Sequence, residues 1–190
     1  VSPEELVPTE KGSVPTLVSV CLEQVGTEAL QRVGLQGGYI NVPENVINDP
    51  TSALRLSPFL GIPLWAYGNE LRAPSLQDIE QRMDRYIEDH LRDCVLGQEQ
   101  FLEVYDFVEK SDIVSHTEAA GGKTIFNVDW QLEVRTKEGE KIIDLLTHTA
   151  ESPTKLKILH DTAFAIVERE LAERKLEDLT QDLIALEHPK

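Results

Sequence analysis

The sequence predicts an α+β fold, with helices in its N-terminal part, a three-stranded antiparallel meander and a long C-terminal helix packed on the sheet. Two observations predict it. Apolar residues recur at three- and four-residue steps in three segments, which is the period of an amphipathic helix. Between the second and third segments they recur at every second residue, which is typical of a strand with one buried face. The chain has 190 residues, 41% of them hydrophobic, which is enough for one domain with its own core.

We expect residues 1–13, which are polar and contain two prolines, to form a stalk or linker before a single domain over residues 14–190. The parts of that domain are a helical part (14–97) that includes an irregular loop (43–74), the β meander (101–150) and the C-terminal helix (152–187).

The first helix is predicted from about Val14 to Val33. Ser13 is a suitable N-cap, and Gly34 is a natural residue just beyond a helix end. The apolar stripe of this helix consists of Val14, Val18, Cys21, Leu22, Val25, Ala29, Leu30 and Val33. After the glycines that follow it, Tyr39–Val42 is predicted to be a short strand.

The second helix is predicted between Ser75 and Gly97. Ser75 and Asp78 match a capping box, in which each residue hydrogen-bonds the backbone N–H of the other. Its apolar residues are Leu76, Ile79, Met83, Tyr86, Ile87, Leu91 and Cys94. Five prolines interrupt the preceding residues 43–74, so we expect little regular structure there apart from one strand within Phe59–Tyr67.

The meander follows from strict alternation of apolar and polar residues. The apolar positions are Phe126, Val128, Trp130, Leu132 and Val134. Gly121–Gly122 indicates a hairpin turn, with Asp112–Ala119 as the partner strand. Lys137–Gly139 indicates a second turn, which leads into a third strand over Lys141–Thr149. The apolar face of such a three-stranded sheet must be buried against another element.

The third helix is expected to supply this cover. Ser152 is the predicted N-cap, with Pro153 in the first helical position. The apolar stripe changes phase after Glu170, which indicates either a stutter in one helix or a break into two.

Cys21 and Cys94 lie on the apolar faces of two helices that are far apart in sequence. A disulfide between them requires those helices to pack side by side, and it would place the protein in an oxidising compartment. The alternative is two buried thiols. A catalytic or zinc-binding role is not expected, because the neighbours of both cysteines are aliphatic and neither has a second cysteine close by.

Four polar residues near the ends of two predicted strands could form a divalent-metal site if the strand ends meet. They are His116, Glu118, His148 and Glu151. The alternative is that they are solvated side chains. The many other carboxylates are expected to face solvent.

Two segments could bind a protein partner. Trp65 and Tyr67 belong to an apolar run that either forms a recognition loop or fills the core. The second segment carries leucines that extend beyond what three short strands can cover, so they could contact another chain. These leucines are Leu176, Leu179, Leu183 and Leu186.

Charge and motifs exclude several function classes. A net charge of −16 repels phosphate, so nucleic-acid binding is not expected. No serine elbow, P-loop or dinucleotide fingerprint is present, and no cofactor is expected. No run is long enough to span a bilayer. The polar start at Val1 fits either removal of an export signal or membrane anchor, or cleavage of a tag from a cytosolic protein. The cysteines favour the first.

The first half of the chain resembles a group of archaeal proteins that have one N-terminal membrane helix and an extracytoplasmic domain. The resemblance covers about residues 18–94. It rests on Leu-Gln-Gly-Gly-Tyr-Ile (35–40), Ile-Pro-Leu-Trp-Ala-Tyr (62–67) and Tyr-Ile-Glu-Asp-His-Leu-Arg-Asp-Cys (86–94). The two cysteines match the cysteine positions of the group, which favours the disulfide. The resemblance implies no catalytic residue.

The sequence thus favours a non-catalytic ectodomain of a membrane-anchored surface or envelope protein that acts through a protein partner or self-association. Two alternatives stay open. One is a hydrolase or metal-binding protein that uses the histidines and glutamates at the strand ends. The other is a cytosolic adaptor that uses the C-terminal helix.

Overall fold

Helices pack on one face of an antiparallel sheet in a computed structural model that describes residues 2, 3, 6, 13–57 and 60–187, with only the backbone of Leu60. The α+β fold class is confirmed. The helices are α1 (Ser13–Leu35), α2 (Glu44–Ile47), α3 (Leu76–Leu96), α4 (Glu99–Leu102), α5 (Leu156–Glu173) and α6 (Lys175–Glu187). The strands are β1 (Ala53–Ser57), β2 (Leu60–Pro63), β3 (Ala66–Tyr67), β4 (Glu70–Leu71), β5 (Tyr105–Glu109), β6 (Val114–Ala119), β7 (Thr124–Thr136) and β8 (Lys141–Ser152).

The sheet is built around β7, its longest strand. Strands β6, β7 and β8 are the predicted meander, paired antiparallel in sequence order. Strand β5 pairs with residues 132–136 of β7 and β6 pairs with residues 124–129. These two strands therefore lie end to end on one side of β7, and β8 occupies the other side.

One face of this sheet is buried, as the alternation in β7 predicts. The five alternating apolar side chains of β7, from Phe126 to Val134, are at most 1% exposed. Helix α1 packs against β8 and β7, while α3 packs against β6 and against α1. The predicted cover by the C-terminal helix is therefore wrong. Helix α1 buries a stripe of eleven residues, whereas α5 buries only Leu156 and α6 buries none.

A disulfide joins α1 to α3. Cys21 is fully buried and bonded to Cys94, with 5.7 Å between their Cα atoms. The bridge is thus formed between two helices packed side by side, as the sequence predicts. It is consistent with an oxidising environment.

Helix α1 approaches the sheet closely at Gly26. A Cβ atom at this position would lie 2.5 Å from the ring of Phe126. That distance is far below van der Waals contact, so only glycine fits here without displacement of the ring.

The ends of α1 and α3 differ in how well they match the prediction. The capping box of Ser75 and Asp78 is present at the start of α3, and Gly97 follows its end. Helix α1 continues to Leu35, and the chain then turns through Gly37 and Gly38, both with positive φ. The predicted strand Tyr39–Val42 is wrong, because these residues pair with no other strand of the described chain.

Residues 43–74 contain more regular structure than predicted. They form α2 and two small antiparallel hairpins, β1–β2 and β3–β4. Phe59, at the start of the run predicted to contain a strand, lies outside the described residues, whereas Trp65 and Tyr67 are described.

The C-terminal segment begins later than predicted and is broken. Ser152 is the last residue of β8 and not a helix cap, and its hydroxyl lies 3.0 Å from that of Thr154. Helix α5 ends at Glu173, and Arg174 after it adopts the left-handed conformation (φ 51°, ψ 30°). Of the two alternatives after Glu170, the break into two helices is confirmed.

Most of the expected N-terminal stalk lies outside the described residues. Where the chain is described, it contacts the domain. Pro3 is buried and its carbonyl accepts a hydrogen bond from Gln100, while Leu6 packs against the core. These two residues therefore do not belong to a free linker.

Candidate association surface

Helix α6 presents an apolar stripe to solvent. None of its residues is buried. Its apolar side chains are 54–76% exposed, and they are Leu176, Leu179, Leu183, Ile184 and Leu186. The four leucines recur at steps of three and four residues, which is the a/d pattern of a helix that packs along another helix. We call this stripe the α6 leucine face.

The bend between α5 and α6 is held by side chains. The carboxylate of Glu170 accepts hydrogen bonds from the backbone N–H groups of Leu176 and Glu177 at 3.0–3.1 Å, which satisfies two donors at the start of α6. Arg174 donates to the side-chain oxygen of Asn69 at 2.7 Å. These contacts fix the direction in which α6 leaves the domain.

Helix α5 is partly docked and partly exposed. His160 is hydrogen-bonded to the carbonyl of Pro74 at 2.9 Å and lies next to the rings of Trp65 and Phe164. The opposite side carries three apolar residues that are 46–61% exposed: Ile158, Leu159 and Ile166. Exposed apolar surface thus extends over both C-terminal helices.

Trp65 and Tyr67 have different environments. The indole N–H of Trp65 donates to the carbonyl of Gly37 at 2.8 Å, and the half-buried ring connects the end of α1 to α5. Tyr67 is 47% exposed and lies under the guanidinium of Arg72. Trp65 is therefore engaged inside the domain, and only Tyr67 is open to a partner.

The four residues predicted as possible metal ligands lie on opposite faces of the sheet. His116, Glu118 and Glu151 are on the exposed face, where Glu151 lies 2.5 Å from the ammonium of Lys123. His148 is 6% exposed on the covered face. The four side chains cannot reach one ion, and the described residues contain no group of three or more His, Cys, Asp or Glu side chains that could hold a metal ion.

Burial lowers the pKa of His148, although the backbone of Trp130 and the charge of Asp129 act in the opposite direction. The imidazole is therefore neutral over a wider pH range than a solvated one. Its Nε2 atom has no hydrogen-bond partner among the described residues.

A set of carboxylates on α3 was not identified from the sequence. Glu80, Asp84 and Glu88 accept hydrogen bonds from the backbone N–H groups of alternate residues of β6, at 2.6–2.9 Å. Four helical residues rise about 6 Å and two strand residues about 6.6 Å, so the two spacings match. These carboxylates, which we call the α3 carboxylate ladder, satisfy the edge of β6 that β7 does not use.

Asp84 of this ladder is expected to make stability depend on pH. Burial raises the pKa of the Asp84 carboxyl, despite hydrogen bonds from Thr117 that act in the opposite direction. In the window between the ordinary and the raised pKa, the folded state binds more protons than the unfolded state, so stability falls as pH rises. We expect the free energy of unfolding of wild type, relative to Asp84→Asn, to decrease as the pH rises above about 4, the ordinary pKa of an aspartate.

Urea unfolding at several pH values measures this difference. Asp93→Asn, on the exposed side of the same helix, is the matched control and should show no such trend. A difference between wild type and Asp84→Asn that is constant with pH would contradict the assignment.

No family model, curated protein or solved structure matches this chain. Within the described residues, no helix combines the length and apolar character that crossing a membrane requires.

Proposed function

We propose that the chain is a non-catalytic extracytoplasmic domain of a surface or envelope protein and acts by binding a partner protein through the α6 leucine face. The observation that carries this proposal is that no residue of that face is buried, on a helix whose direction is fixed by Glu170 and Arg174. The disulfide supports the extracytoplasmic location over a cytosolic adaptor, because such bonds are rare in reducing compartments.

The pattern of exposed residues favours a helical partner. Leucines at successive a and d positions form a narrow seam suited to a second helix. Burying a leucine side chain contributes about 1.5–3 kcal/mol, so four leucines supply enough apolar surface to offset part of the cost of association. Helix α5 carries three further exposed apolar residues before the bend: Ile158, Leu159 and Ile166.

Charge favours a different protein over a second copy. Helix α6 contains Glu177, Asp178, Asp182 and Glu187 but only Lys175 as a cation. Beside the leucine seam, a parallel pair of α6 helices would bring Asp182 close to Glu187 of the other copy, and an antiparallel pair would bring the two Asp182 residues together. Residues in these flanking positions select the partner. A partner helix with basic flanks therefore suits this face best.

A designed peptide tests the proposal. The probe is a synthetic helix of about four heptads, with leucine at a and d and lysine at the flanking positions. We expect it to bind the wild-type chain and not the variant Leu179→Asp/Leu183→Asp, measured by fluorescence anisotropy. Both leucines are exposed, so the variant should keep its thermal unfolding midpoint. The same peptide with glutamate at its flanks is the matched control and should not bind.

Light scattering of the purified chain addresses the second copy. If the wild-type chain forms concentration-dependent dimers and Leu179→Asp/Leu183→Asp does not, the α6 leucine face binds a second copy of the chain and not a different protein. A chain that stays monomeric at high concentration and binds neither peptide would contradict association through α6.

A further inference from the structure

A second candidate site, which shares no residue with the α6 leucine face, is a cleft of about 370 Å³ between α3 and the segment that follows the Gly37–Gly38 turn. This volume is in the range of small-molecule sites. The polar lining of the cleft includes Tyr39, Asn41, Arg82, Arg85, Asp89 and His90.

The cations of this cleft are held by neutral groups. Arg82 donates to the carbonyl of Gly38 at 2.7 Å, and its guanidinium lies 3.9 Å from the centre of the Tyr39 ring. Arg85 donates through Nε to the carbonyl of Gln81 at 3.2 Å. Both side chains are therefore oriented without neutralisation of their charge, and guanidinium N–H groups remain for a ligand.

This arrangement is unusual within a chain of net charge −16. Most of the described lysines and arginines lie within ion-pair distance of a carboxylate. Among the described residues, no carboxylate is that close to Arg82 or Arg85. Acidic neighbours along α3 include Asp78, whose pKa is lowered by hydrogen bonds from Ser75 and, to a smaller extent, by the charge of Arg82, and Asp89, which lines the same cleft. Two arginines one helical turn apart, neither of them in an ion pair, are suited to a planar or tetrahedral oxyanion.

His90 extends the site along α3. Its ring stacks on Tyr86 at 3.9 Å between centroids, and its Nδ1 lies 2.8 Å from the carbonyl of Tyr86. Because a carbonyl only accepts, Nδ1 is the donor of that bond, and Nε2 is the ring nitrogen left for a ligand. Asn41 and Asp89 add an amide and a carboxylate that can bind hydroxyl groups.

We propose that this cleft binds a small organic oxyanion, a carboxylate or phosphate carried on a hydroxylated molecule. The oxyanion lies between Arg82 and Arg85, and the hydroxyl groups lie toward Asn41 and Asp89. The site is separate from the α6 leucine face, so either proposal can fail without the other.

Titration calorimetry with glucuronate, inorganic phosphate and glucose tests this inference. We expect saturable binding of glucuronate and weaker binding of phosphate that competes with it, and no binding of glucose. Arg85→Gln should weaken glucuronate binding about tenfold or more, because it removes a charge-assisted contact. Added salt should weaken it as well.

Arg92→Gln is the matched control. It lies on the same helix outside the cleft, where Arg92 pairs with Glu109 at 2.9 Å, and it should leave binding unchanged. Asn41→Ala provides a second variant on the other wall and should weaken glucuronate more than phosphate. Absence of saturable binding by both anions, or equal effects of Arg85→Gln and Arg92→Gln, would overturn the proposal.

Discussion

Reduction of the Cys21–Cys94 bridge is expected to lower the free energy of unfolding by about 4 kcal/mol, since the bridge closes a long loop. The two cysteines are 73 positions apart, and in the chain-entropy model a cross-link over this distance removes many unfolded conformations. Urea unfolding of the wild type with and without a thiol reductant measures the effect.

The double variant Cys21→Ala/Cys94→Ala is the control for this experiment. Its stability should be insensitive to reductant and close to that of the reduced wild type, apart from a cost for the smaller side chain at the fully buried Cys21. Mass measurement after alkylation shows whether native, unreduced protein contains the bridge. Free thiols in that material would remove the support for an extracytoplasmic location.

Gly26→Ala is expected to destabilise the fold by about 1–3 kcal/mol through overpacking. Alanine is the better helix former, but the strain of overpacking is larger than the gain in helix propensity. The added methyl group would meet the ring of Phe126 at 2.5 Å, and this ring is fully buried beneath α1. Thermal or urea unfolding measures the loss.

Gly34→Ala is the matched control within the same helix. No atom lies within 4 Å of the position of its Cβ, so we expect stabilisation by about 0.5–1 kcal/mol. The pair Gly26→Ala and Phe126→Leu should be less destabilising than the sum of the two single variants, because leucine vacates the contested space. Additive losses, or a stabilising Gly26→Ala, would contradict the close approach of α1 to the sheet.

The parts of the fold that the sequence predicted correctly are those in which several local signals agree. Helix α3 has a capping box, an apolar stripe and Gly97 after its end. Strand β7 alternates apolar and polar residues from Phe126 to Val134. In both cases the burial of the apolar residues follows from local periodicity, whereas the burial of Glu133 in β7 does not.

The choice of the helix that covers the sheet could not be predicted from periodicity. Three segments carry apolar stripes, and periodicity does not rank them. What separates α1 from α5 is close approach to the sheet at a glycine, together with a covalent bond to α3. Both are relations between distant residues. Periodicity does not predict the hairpins within residues 43–74 either. Their strands are only two to five residues long, which is too short to show a period.

The candidate sites also divide into features that local sequence patterns predict and features that depend on distant residues. The sequence predicts the exposure of the α6 leucines, because the C-terminal segment carries more apolar residues than three short strands can cover. The position of His148 did not, because the register between β7 and β8 shifts between Asp129 and Leu132 and changes which residues of β8 face inward. The carboxylates of the α3 carboxylate ladder recur at four-residue steps in the sequence. Charged residues on any solvated helix face show the same spacing, so it does not distinguish the ladder.

The ladder leaves the two sides of the sheet unequal. Along β6, an incoming strand would have to displace three carboxylates from the backbone. Along β8, the described residues form no backbone hydrogen bonds except those to β7, and Ile142 and Leu146 are exposed nearby. Copies therefore cannot stack by pairing β8 of one copy with β6 of the next, because the backbone donors of β6 are already occupied. A stack that alternates these two edges therefore does not propagate into a fibre.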